Sequence, residues 1–194
     1  MKTYDIIVIG TGGASIVADA AIKAGKSVAI IEKGKFGGTC LTRGCIPTKV
    51  MVTVADAVRE IEELPRIGVK VESASIDWNL MSKRVWQRID ESKDVEAYYG
   101  AIDSVTLYKG AAEFLEDKVL QVNYLDGSVS EPLTAPIIVL GVGGHTKVNL
   151  IPGLEETGYM SSESLFGHKY PKKPFESLII AGGGPIGTEF AHVF

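Results

Sequence analysis

A β-branched apolar run, Tyr4–Ile9, breaks off into Gly10, Gly12 and Gly13, and few folds accept that junction. A short, nearly continuous apolar segment suits a strand buried on both faces of a parallel sheet. Ala14–Ala24 follows, Ala-rich with apolar residues at helical spacing, and Gly25 ends it. Ser27–Ile31 reads as a second buried strand, with Glu32 at its end. Strand, glycine turn, helix and strand within about 30 residues make a βαβ unit, and its crossover is expected to be right-handed.

The turn itself is G-T-G-G-A-S, Gly10 to Ser15. In a dinucleotide-binding unit the first glycine makes the tight turn. The second lets the backbone approach a pyrophosphate seated at the positive end of the helix, and the third position keeps strand and helix close. Here the third position is Ser15, one small step larger than glycine or alanine. Glu32, about 20 residues beyond the second glycine, is placed to accept bonds from ribose hydroxyls. Taken singly, the turn also fits a plain strand–helix junction and Glu32 a solvated strand end. The complete unit is what points to a nucleotide.

The two cysteines, Cys40 and Cys45, follow that unit within a glycine-flanked loop. Two cysteines in 194 residues make no disulfide framework, and reducing compartments disfavour structural bridges. Metal binding and redox chemistry are the usual reasons for keeping two thiols close. Two ligands cannot close a tetrahedral zinc site and no histidine lies near them, so redox leads over metal binding and over two inert thiols. In one regular helix their Cα atoms would stand about 8.6 Å apart, from helix radius and rise. A disulfide needs less than about 7 Å. If the two pair, the backbone must bend between them, and Gly44 is there to allow it. Cys45 would then open the following helix, where N–H groups and the helix dipole favour a thiolate, leaving Cys40 the more accessible thiol.

A polar loop is expected over Lys33–Gly44 and a long helix from about Ile46 to Leu64. Next come a loop with a short strand over Pro65–Asp77 and a charged helix from Trp78 to about Tyr99. Val105–Tyr108, Glu113–Leu115 and Val119–Tyr124, with a turn at Asp126-Gly127, read as an antiparallel meander. Pro136–Leu140 is another buried strand, leading to Gly141, Gly143 and Gly144. After a connector over Ile151–Pro174, Ser177–Ala181 reads as a strand running into Gly182–Gly187, with a helix from about Pro185. A second βα turn thus opens and stops about two turns into its helix, the pattern of a fragment.

The stretch Gly37–Lys49, GGTCLTRGCIPTK, closely resembles the redox signature of class I pyridine-nucleotide disulfide oxidoreductases. Its Cys-Ile-Pro-Thr-Lys ending looks most like dihydrolipoamide dehydrogenases, with mercuric reductases and glutathione-reductase-like enzymes as relatives. The resemblance runs the length of the chain. Gly110, Ala112 and Phe114 match the family's G-x-G-x-F segment with Ala for the second glycine, Ile151-Pro152-Gly153 its connector, and Gly182–Glu189 the opening of its NAD(P) domain.

The resemblance implies an α/β fold: an FAD-binding Rossmann-like βαβ domain with an antiparallel β-meander (residues 1–150, meander about 105–135), a connector (151–174) and the first βα unit of a second, NAD-binding Rossmann-like domain (175–194). It implies Cys40 as the interchange thiol and Cys45 as the charge-transfer thiol against the flavin. Lys49 would lie near the flavin ring, paired with Glu189 across the domain boundary. FAD would be held by Gly10, Gly12, Gly13, Ala14, Ser15, Glu32, Lys33, Gly38, Thr39, Cys45, Lys49, Ala112 and Gly143. Gly182, Gly184 and Gly187 would hold NAD, with NADP left open. The implied reaction passes electrons from a small-molecule or lipoyl-domain dithiol through a Cys40–Cys45 disulfide and FAD to the nicotinamide, and the full-length enzyme is expected to be a homodimer.

The chain departs from the family at Ser15 and at Gly141-Val142-Gly143-Gly144, where the family has Ala-Thr-Gly-Ser or similar; Val142 removes a hydroxyl near the flavin. His145, His168 and His192 match none of the family's acid–base His–Glu pair, so a non-catalytic nucleotide-binding fragment is the alternative for the chain as it stands. A flavin mono-oxygenase would need no paired cysteines. No metal site is expected. The net charge of −4 leaves no basic footprint for nucleic acid. No apolar run approaches the roughly 18 residues of a membrane span, and the N-terminus lacks a signal-peptide pattern. A cytoplasmic location is the expectation.

Overall fold

In chain order the elements are β1 (Lys2–Thr3), β2 (Ile6–Ile9), α1 (Ser15–Lys23), β3 (Val28–Ile31), α2 (Gly38–Arg43), α3 (Cys45–Glu63), α4 (Trp78–Asp90), α5 (Ser92–Gly100), β4 (Val105–Tyr108), β5 (Gly110–Glu116), β6 (Val119–Tyr124), β7 (Leu133–Thr134), β8 (Ile137–Leu140), α6 (Ser162–Leu165) and α7 (Pro185–Val193). The structure, a computed structural model, describes residues 1–148 and 150–194. The chain divides into two units, Met1–Thr42 with Glu91–His145, and Arg43–Asp90 with Thr146–Phe194.

The first unit is layered. Its parallel sheet has the order β4-β3-β2-β8, and a second sheet has the order β1-β7-β6-β5. β2 pairs in register with both neighbours, Ile6–Ile9 against Val28–Ile31 and against Ile137–Leu140. Successive side chains of β2 point to opposite faces. Ile7 and Ile9 join Ala29, Ile31, Leu120, Val122 and Leu133 between the two sheets. Ile6 and Val8 join Ala18, Val28, Ile30, Phe36 and Tyr99 on the side of α1 and α5. Both faces are therefore covered, which is why the strand reads as an unbroken apolar run. Each fully buried Ile or Val contributes about 1.5–3 kcal/mol.

The meander comprises β5, β6 and β7. Val105–Tyr108, expected within it, instead pairs parallel with β3 as an edge of the other sheet. Its four residues read alike as an antiparallel or a parallel strand, and only pairing decides. The expected helix from Trp78 to about Tyr99 is two helices, interrupted at Glu91. Met81, Val85 and Ile89 serve the core of the second unit, whereas Val95 and Tyr99 pack with the first. The apolar spacing runs on through the break, so periodicity does not mark it. The expected loop over Lys33–Gly44 contains the short helix α2, anchored by buried Leu41 and Thr42. Pro65–Asp77 holds a 3₁₀ turn at Leu64–Ile67 and no strand.

The second unit is helical. Met51, Met81, Val85, Ile89, Leu165 and Phe166 form its core, with Trp78, Trp86, Tyr170, Phe190 and Phe194 packed around them. Ser177–Ala181, expected as a strand, has no ladder partner among the described residues and forms none; Ile179 is 95% exposed. A strand exists only through its neighbour's hydrogen bonds.

Two buried tyrosines of the first unit set an alkaline limit. Burial, then the bond from its hydroxyl to Asp19 (2.8 Å), raises the Tyr99 pKa above its usual value. Burial, then the 2.8 Å bond with the Tyr4 hydroxyl, does the same at Tyr108. A raised pKa means the fold favours the neutral phenol. That contribution is complete below the unfolded value of about 10 and is lost as pH rises through the higher folded values. Melting temperature should hold steady from neutral pH to about pH 9 and fall beyond about pH 10. Thermal unfolding across that range checks it, with Tyr108→Phe expected to shallow the decline; a decline of unchanged depth would remove Tyr108 as a cause.

Candidate functional site

The glycine turn of the first unit is built by close backbone approach. Gly10 has φ +97°, its N–H donates to the Ile31 carbonyl at 2.7 Å, and the Gly141 N–H donates to the Ile9 carbonyl at 2.7 Å. A Cβ at Gly10 would stand 2.2 Å from the Gly141 carbonyl oxygen, and one at Gly141 would stand 2.3 Å from Ala14 Cβ. The outer edge of the turn differs. A Cβ at Gly12 would make only ordinary contact with Gly38 Cα, at 3.6 Å, and one at Gly13 would meet nothing within 4 Å. Alongside, α1 follows its N-cap Ala14 with no side-chain cap and no acidic residue in its first turn. Open glycine backbone beside an uncapped helix N-terminus fits a pyrophosphate. Ser15, at the third motif position, lies close to the Tyr99 hydroxyl.

Glu32 stands at the end of β3, half-buried. Its Oε2 accepts from Thr11 N at 3.0 Å and from Thr11 Oγ1 at 2.7 Å, and its Oε1 accepts from Gly34 N at 2.9 Å. Thr11 Oγ1 in turn accepts from Gly37 N at 3.0 Å. Gly38, at φ +66°, approaches so closely that a Cβ there would stand 2.4 Å from Gly12 Cα. Glycine turn, carboxylate and the loop leading to Cys40 are therefore one hydrogen-bonded assembly. Thr11, Gly37 and Gly141 are members that sequence reasoning missed. Thr11 fills the variable position of G-x-G, and only the meeting with Glu32 and Gly37 reveals it. Of the other expected residues, Lys33 and Thr39 are exposed, Ala112 packs into the layer between the sheets, and Gly143 has φ +69° with open space around it.

Cys40 lies in α2 and Cys45 is the first residue of α3, and Gly44 (φ −145°, ψ −115°) interrupts the helix between them. The bend anticipated at Gly44 is present. Both cysteines are exposed thiols. In the second unit, Lys49 lies one turn along α3 from Cys45, on the same face. Its ammonium pairs with the Glu189 carboxylate of α7. Lys49 is 60% exposed and Glu189 34%, so the pair adds little to stability. The second glycine turn repeats the logic of the first. Gly182 has φ +126°, a Cβ at Gly187 would stand 2.3 Å from the Gly182 carbonyl oxygen, and Gly183 and Gly184 face open space. Gly184 caps α7 without a side-chain bond. His192 pairs with Asp56 at 2.7 Å. Among the described residues, no helix is long and apolar enough to cross a membrane, and no group of three or more His, Cys, Asp or Glu could hold a metal ion.

Residues 4–194 match the family model described as pyridine nucleotide-disulphide oxidoreductase. Mycothione reductase of Mycobacterium tuberculosis is 33% identical over 197 residues, covering 100% of this chain and 42% of that protein. Dihydrolipoyl dehydrogenase of Acholeplasma laidlawii is 32% identical over 200 residues, 100% of this chain and 56% of that protein. Mercuric reductase of Bacillus cereus is 31% identical over 194 residues, 98% of this chain and 29% of that protein. The chain thus spans between 29% and 56% of these relatives' lengths, and the three identities do not separate one activity from another.

Proposed function

Since this chain belongs to the pyridine nucleotide-disulphide oxidoreductase family, we propose that it is the flavin-binding, dithiol-bearing N-terminal part of an enzyme that oxidises a dithiol with NAD, in the manner of a dihydrolipoamide dehydrogenase. One arrangement carries the reading. An open glycine turn with its carboxylate in place leads, through a short loop, to a thiol in α2 and a thiol at the head of α3.

The residues divide the work. Gly12 and Gly13 let a dinucleotide pyrophosphate reach the N-terminus of α1, and Glu32 accepts from the adenosine ribose. Gly182, Gly184 and Gly187 receive the nicotinamide dinucleotide. A substrate thiolate attacks the sulfur of Cys40 in the Cys40–Cys45 disulfide, and Cys45 leaves as a thiolate at the helix N-terminus. The second substrate thiolate then displaces Cys40, giving the substrate disulfide and the protein dithiol. A flavin held at the glycine turn would supply the two-electron step that restores the protein disulfide and reduces the nicotinamide. Lys49 sets a positive charge one turn from Cys45, steadied by Glu189.

The test is the full-length enzyme. It should purify yellow and reduce NAD in the presence of dihydrolipoamide. Oxidation of NADH or NADPH by mycothione or mercuric ion, with no NAD reduction by dihydrolipoamide, would keep the class and move the substrate to that of another relative. A protein that takes up no flavin would refute the class.

A further inference from the structure

We propose that Thr11 is a positioning residue that couples the ribose-binding carboxylate to the loop entering the dithiol segment; this rests on the reading of the glycine turn as a flavin dinucleotide site. A carboxylate offers about four acceptor directions, and a hydroxyl one proton and two lone pairs. Three of the acceptor directions at Glu32 are already taken, by Thr11 N, Thr11 Oγ1 and Gly34 N. The Thr11 hydroxyl gives its proton to Glu32 and accepts from Gly37 N–H, so both of its roles are assigned. The residue is 3% exposed, which keeps water from substituting for it. One buried hydroxyl thereby fixes the carboxylate's direction and holds the Gly37-Gly38 backbone against Gly12. The carboxylate is presented with an acceptor direction open for a ribose, and the segment that continues to Cys40 is held by the same group.

Valine matches threonine in shape. In Thr11→Val the backbone bond to Glu32 survives, while both hydroxyl bonds go. Glu32 can then swing and Gly37 N–H loses its acceptor, so binding must first reorganise the site. The apo full-length enzyme, titrated with FAD and followed by flavin fluorescence, should show affinity lower by about 10- to 100-fold in Thr11→Val, the effect of losing a hydrogen bond to a charged group. Thr11→Ser, which restores the hydroxyl, should return affinity to within about threefold of the parent. FMN, which lacks the adenosine half, should bind parent and Thr11→Val alike. Because part of the effect of Thr11 runs through Glu32, the loss should be clearly smaller when Thr11→Val is placed in a Glu32→Gln background, the remainder being the Gly37 N–H left without its acceptor.

Parent-like FAD affinity in Thr11→Val, Ser as weak as Val, or additive losses in the double variant would each overturn the proposal. If Thr11→Val does not fold, Thr11→Ala takes its place under the same criteria. A parent enzyme that binds neither FAD nor ADP would refute the dinucleotide site itself. A parent that binds both while Thr11→Val is unaffected would refute only the role of Thr11.

Discussion

Gly10→Ala should be less stable than the parent by about 3–5 kcal/mol, while Gly13→Ala should fold as well as the parent and yet bind flavin poorly. Both substitutions add one methyl to the same turn. At Gly10 the backbone is left-handed, at φ +97°, and the new Cβ would stand 2.2 Å from a main-chain oxygen that cannot rotate away. The positive φ alone costs about 1–3 kcal/mol and the forced separation of β2 from Gly141 a similar amount. Against a domain stability of about 5–15 kcal/mol that is a large fraction. Gly13 has neither problem, since its Cβ would enter open space. Ala is even expected to favour the fold slightly there, by about 0.4–1 kcal/mol, by narrowing the unfolded ensemble. On the proposed reading, that same open space is where the pyrophosphate approaches. Denaturant unfolding of each variant, paired with a flavin titration, separates the two effects. An unchanged midpoint for Gly10→Ala would show that the close approach to Gly141 is dispensable. Parent-like flavin affinity for Gly13→Ala would place the pyrophosphate elsewhere.

The same contrast explains what could be read from the residues. The βαβ unit was legible because each of its parts has a local cause. β2 and β3 are apolar throughout since both faces are covered, and Gly10 is glycine since nothing else fits. The bend at Gly44 followed from helix geometry and the reach of a disulfide only on the condition that Cys40 and Cys45 pair. What stayed hidden depends on partners distant in sequence. Val105–Tyr108 could have paired with either sheet, and the Val119–Tyr124 hairpin beside it drew it into the meander. Met81, Val85, Ile89, Val95 and Tyr99 keep helical spacing across Glu91, so the transfer from one core to another left no mark on the pattern. Thr11 occupies a position that the motif leaves free. Its importance arises only when residues 32 and 37 arrive beside it.

Cys45→Ser and Cys40→Ser should each lower dithiol oxidation by the full-length enzyme by at least about 10³-fold, the scale on which removing a nucleophile acts. Disulfide exchange needs a thiolate and a sulfur that can be attacked. A serine hydroxyl provides neither, and with one sulfur gone no disulfide can form. The loss should be chemical rather than structural, because both cysteines are exposed and exposed substitutions usually fall within about 0.5 kcal/mol. Melting temperatures close to the parent's are therefore part of the expectation. The two variants should part company in their spectra. With Cys40 replaced, Cys45 cannot be oxidised to the disulfide and stays a thiol at the head of α3, so the long-wavelength thiolate-to-flavin absorbance should persist. With Cys45 replaced, the donor sulfur is gone and the band should vanish. Were the band lost in Cys40→Ser and kept in Cys45→Ser, the roles would be reversed, and the sulfur facing the flavin would be the one carried by α2. Turnover surviving in both would mean that the dithiol takes no part in the reaction, whatever the resemblance of its flanking residues.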